Sequence, residues 1–113
     1  MAKSSTIAIA GATAVNLAER AALTRWLDAS KRLIAITTRE LNASPSSPQL
    51  HCELGEIYLR LGHPHRGAHW LRAALRFDPD YRRAHERLRD YYDGLGPEGK
   101  ERAAFHRQRL ASR

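Results

Sequence analysis

Three histidines, His63, His65 and His69, offer the first candidates for chemistry in this chain. His65 and His69 are four apart, so on a helix one stands a turn above the other, a spacing compatible with zinc. No cysteine or carboxylate lies close in sequence to complete the set. A polar turn followed by an exposed helix face, taking up nickel or zinc only adventitiously, is the plainer reading. Cys52 is the only cysteine. A nucleophilic thiol needs a neighbouring base, and no motif supplies one. A small apolar residue, buried or lining a groove, is expected there. One cysteine also excludes an intrachain disulfide, and nothing calls for an oxidising compartment. Glu53 and Glu56 stand three apart but without an aligned partner pair, and read as groove or surface charge. There is no glycine-rich phosphate loop and no Ser-His-Asp ordering. The expectation is therefore no catalysis, no cofactor and no resident metal.

The elements that position these residues are helical. Alanine, leucine, arginine and glutamate dominate, and no alternating strand pattern occurs, so the fold class is all-α. In Leu61-Gly62-His63-Pro64, Gly62 can take positive φ at a helix end and Pro64 pre-sets φ for the next helix. In Phe77-Asp78-Pro79, the proline pushes Asp78 out of helical geometry. Helices are predicted over 48–61, 65–77, 82–94 and 100–111, preceded by helical structure over 15–42.

Residues 48–81 form a 34-residue unit when Pro48 is counted first. Leu54 and Gly55 fall at positions seven and eight, Tyr58 at eleven, Gly67 at twenty, Leu71 at twenty-four, Ala74 at twenty-seven and Pro79 at thirty-two. This resembles the tetratricopeptide (TPR) repeat, two antiparallel helices in which small residues let the axes approach at their crossing. The resemblance implies a short TPR-like α-solenoid of helical hairpins. It covers 48–81 most closely. In 82–113, Leu88, Tyr92 and Gly96 keep the pattern while Arg89 replaces the small eighth residue. A polar last helix suits a terminal cap. In 14–47, Pro45 lies 34 residues before Pro79 and Ala21 takes the small position, but Arg20, Thr24 and Leu33 depart from the pattern. This is a degenerate repeat, either one long helix or, slightly favoured, a pair breaking near Asp28 with Ser30 as cap.

Residues 1–13 read as a flexible tail. Ile7-Ala8-Ile9-Ala10 and Ala12-Thr13-Ala14 faintly resemble a secretory segment, but the basic part is a single lysine, and a cytoplasmic location is expected. The uncharged stretch over 4–18 is too short and too polar to span a bilayer.

The family resemblance implies a protein-binding scaffold, an assembly or adaptor module. Its groove positions correspond here to Gln49, Cys52, Glu56, Leu59 and Arg60, then Arg83, Glu86 and Asp90. The Lys and Asn set that clamps a terminal carboxylate in some relatives is absent. The mixed charges suit an amphipathic helix or a mixed-charge segment. A second candidate interface is the stripe of Val15, Ala22, Trp26 and Leu33, through which the chain meets itself or another protein. Trp26 and Trp70 are otherwise read as packing anchors. Net charge is +7. The alternative is therefore a basic binder of nucleic acid or another acidic surface through the Arg-rich carboxy-terminal half. It lacks aromatics interleaved with the basic residues, which counts against base stacking.

Overall fold

A computed structural model describes the backbone of residues 2–112 and the side chains of residues 17–112. Five α-helices follow one another: α1 Ala2–Ala43, α2 Pro48–Arg60, α3 Pro64–Phe77, α4 Arg82–Gly94 and α5 Lys100–Ala111, with a 3-10 turn at Gly96–Gly99 before α5. The described residues contain no strand. The last four helices fall within a residue of the predicted spans. The chain divides into two compact units, Met1–Arg32 and Leu33–Arg113.

The first helix departs from expectation. It is continuous for 42 residues, through Asp28-Ala29-Ser30 and through the segment read as a tail. The expected hairpin over 14–47 is therefore not formed as two helices. The physical reason lies in the sequence: no glycine or proline occurs between Gly11 and Pro45. A lone serine cannot stop a run of strong helix formers without a breaker beside it. Ser44 and Pro45 end the helix, as expected.

Local devices set the other helices. Ser47 caps α2, its hydroxyl accepting from the Leu50 amide at 3.2 Å, and Pro48 takes the first helical position. Gly62, at φ 83°, turns the chain into α3, which opens with Pro64. Asp78 is extended at the end of α3, and its carboxylate accepts from the Asp80 amide at 3.0 Å.

In the second unit α2 packs on α3, α3 on α4 and α4 on α5, with lighter contact between α2 and α4. The crossing of α2 and α3 is made by glycine on both sides. A Cβ on Gly55 would come within 2.9 Å of the Gly67 carbonyl oxygen and 2.8 Å of Leu71 Cγ. A Cβ on Gly67 would meet Gly55 O at 2.9 Å and Leu59 Cγ at 2.6 Å. The continuous core is built of Cys52, Ala68, Leu71, Ala74, Ala84, Leu88, Tyr92 and Ala103. Its four alanines permit close helix approach, and the three larger residues fill the layers between. Thr37 and Leu41 of α1 are buried in this unit too, while Leu33 and Ile36 are exposed.

Candidate protein-binding surface

Glu56 on α2 and Arg83 and Arg87 on α4 form the most organised polar cluster. Arg83 grips the Glu56 carboxylate with two donors, Nε to Oε2 at 2.9 Å and Nη2 to Oε1 at 2.5 Å. Arg87 adds Nε to Oε2 at 2.7 Å. The glutamate side chain is only 10% exposed, whereas the two arginines are 45% and 44% exposed. A buried carboxylate thus anchors two guanidinium groups at the surface. The bidentate contact holds the Arg83 guanidinium further above its ordinary pKa. A buried carboxylate of this kind needs such partners to offset its desolvation.

The sequence-derived groove residues separate into two groups. Glu56 and Arg83 are brought together. Gln49 is exposed and donates to Glu53 at 3.3 Å, Arg60 is exposed, and Glu86 is half-buried. Asp90 is exposed and pairs with Arg89 at 3.0 Å. Leu59 is half-buried against the space left by Gly67. Cys52 is fully buried in the core and so lines no accessible surface. Burial, and then the nearby Glu56 charge, push its thiol up to about 12, far from a thiolate at neutral pH. Arg87 was missed from sequence, although it lies four residues after Arg83 and hence on the same helix face.

A second cluster joins α4 to α5. His85 and His106 are both buried, with their Nδ1 atoms 2.8 Å apart, and His85 Nε2 lies 2.7 Å from the Pro79 carbonyl oxygen. A carbonyl only accepts, so His85 Nε2–H is the donor there. His85 Nδ1 then accepts from His106 Nδ1–H. The His106 ring stacks on Tyr92 at 5.7 Å, and the Tyr92 hydroxyl accepts from Arg72 at 3.0 Å. Burial, and secondarily His85, lower His106 to about 4. This pair has no sequence signature, since the two residues are 21 apart with neither in a motif. A cavity of about 550 Å³ opens beside His85, where Asp78 and Asp80 face Arg82 and Arg109. Arg109 already pairs with Asp80, and Arg82 already donates to Leu110 O, so the charges there answer one another.

His63, His65 and His69 are all exposed. Among the described residues, no three His, Cys, Asp or Glu side chains are grouped to hold a metal ion. Of the proposed α1 stripe, Val15 lies outside the residues with described side chains. Ala22 and Trp26 are exposed in the first unit, and Leu33 is exposed in the second. Trp26, read from sequence as a packing anchor, is 41% exposed. Trp70 is half-buried and stands 5.7 Å from the His51 ring. No helix among the described residues is long and apolar enough to cross a membrane. No protein-family model, curated protein or solved structure matches the chain.

Proposed function

We propose that residues 33–113 form a TPR-like helical-repeat module that binds a protein segment and performs no chemistry. The observation that carries this reading is the paired use of α2 and α4. Each opens a helical hairpin, α2 with α3 and α4 with α5, and together they present Glu56, Arg83 and Arg87 on one surface. The Gly55–Gly67 crossing supports the hairpin geometry that the resemblance implies. The partner suited to this surface is an amphipathic helix or a mixed-charge segment meeting Arg60, Arg83 and Glu86. Cys52, buried and with its thiol pushed up to about 12, is not placed to attack a substrate.

Nucleic-acid binding by the Arg-rich carboxy-terminal half is the weaker reading. Arg83, Arg87, Arg89, Arg107 and Arg109 each pair with a carboxylate of the chain. Arg82 donates to a backbone carbonyl and Arg102 lies over the Tyr92 ring at 5.6 Å. Phosphate binding would have to displace these partners. The test is affinity purification of the native complex, repeated with Arg60→Glu and Glu86→Lys, two charges outside the Glu56–Arg83–Arg87 cluster. A protein retained by the parent and lost from both variants, with melting unchanged, supports the reading. Retention of nucleic acid alone, weakening steeply with salt, refutes it.

A further inference from the structure

The first unit holds an uncovered basic amphipathic helix. Every residue from 17 to 29 is exposed. Leu23 is 56% exposed, and Trp26 and Leu27 are each 41% exposed, values that a packed helix face does not show. At about 100° per residue, Ala22, Leu23, Trp26, Leu27 and Ala29 share one side, roughly half the circumference, together with Ser30 and Glu19. Trp26 lies near its middle. Arg20 and Lys31 border one margin of that side, and Arg25 and Arg32 border the other. Asp28 points away from it. Glu19 closes its amino-terminal end, where a depression of about 450 Å³ is lined by Glu19, Ala22, Leu23 and Trp26. Over residues 17–32, four cations stand against Glu19 and Asp28, leaving two net positive charges.

We propose that residues 19–32 of α1 lie along the surface of an anionic lipid bilayer. Trp26, Leu23 and Leu27 enter the boundary between headgroups and acyl chains, and the four cations reach the headgroups. Charge and width carry the choice of occupant. Cations on both margins of the apolar side sit at headgroup level when the helix lies flat, their stems covering the apolar edge. A sector this wide exceeds the narrow seam through which one helix covers another. A second copy would bring its own Arg25 and Arg32 against the same margins, like charge against like. The helix rests on the bilayer and does not cross it, since no described helix is apolar enough to span one. The inference is independent of the surface on α2 and α4.

The full chain carrying Trp70→Phe has Trp26 as its sole tryptophan, because the chain has two. It is titrated with vesicles of equal parts phosphatidylglycerol and phosphatidylcholine, and separately with phosphatidylcholine alone. The expected result is a blue shift of Trp26 emission and co-sedimentation with the anionic vesicles, weakened by salt and slight with the neutral ones. Each of Arg25→Gln and Arg32→Gln is expected to weaken anionic-vesicle binding about fivefold, from about 1 kcal/mol per cation. Co-sedimentation of the unaltered chain gives the same reading without the Trp70 substitution. Equal binding to both vesicles overturns the proposal, as does binding to neither. A dimer by light scattering whose Trp26 emission is already blue without lipid overturns it in favour of a second copy. A blue shift with polyglutamate but not with anionic vesicles overturns it in favour of an acidic protein segment.

Discussion

Lowering the pH from 7.5 to 4.5 should destabilise the protein through His106. In the fold its pKa is held near 4, against about 6.5 for an ordinary histidine. Its single neighbouring ring nitrogen, His85 Nδ1, is committed as acceptor because His85 Nε2–H is tied to Pro79 O. His106 Nδ1 already carries a proton, so a second one goes to Nε2 and makes an imidazolium that burial, and secondarily His85, disfavour. Asp78, Asp80, Arg82 and Arg109 line the cavity beside His85, and Arg102 lies over the Tyr92 ring. Between the two pKa values the unfolded chain binds a proton that the folded chain refuses, so stability rises with pH there. The contribution is fully present above about pH 6.5 and is lost as the pH falls from there toward 4. At 1.36 kcal/mol per unit the ceiling is about 3 kcal/mol, most of it lost by pH 4.5. Urea unfolding followed by circular dichroism at pH 7.5, 6, 5 and 4.5 measures the slope. His106→Gln, which cannot titrate, should be less stable than the parent at pH 7.5 and should lose much less on acidification. Equal pH slopes in parent and variant would refute the reasoning, whatever their absolute stabilities.

Gly55→Leu and Gly67→Leu should each cost about 2 kcal/mol or more in thermal or urea unfolding, since their side chains would press on the opposite backbone as well as on Leu71 or Leu59. Unchanged melting in both would remove the close crossing of α2 and α3. Gly99→Ala should cost about 1–3 kcal/mol, because its Cβ would collide with the Tyr92 carbonyl oxygen, a backbone atom with little room to yield. Cys52 should react with a thiol reagent at neutral pH only as fast as the protein unfolds, given its complete burial and raised pKa. Rapid labelling of the folded chain would contradict its place in the core.

The periodicity and punctuation of the sequence were enough for the all-α class and the last four helices. Those devices act locally: Ser47-Pro48, Gly62-His63-Pro64 and Asp78-Pro79 stop or start helices through φ preferences and caps that need no distant partner. The small residues Gly55 and Gly67 were legible through the repeat pattern they resemble, which implies a close helix crossing at both. Residues 14–43 were harder, because Ser30 offers a cap while no glycine or proline stands beside it to stop the helix. The long helix wins where nothing breaks it. Burial of Cys52, exposure of Trp26 and the meeting of Glu56 with both Arg83 and Arg87 were decided only in three dimensions. So was the His85–His106 hydrogen bond. Each depends on which residues distant in sequence are packed together. A helix pattern specifies a face, but only the neighbour that arrives on that face determines whether a charge is paired, a thiol is sealed off or an imidazole is kept neutral.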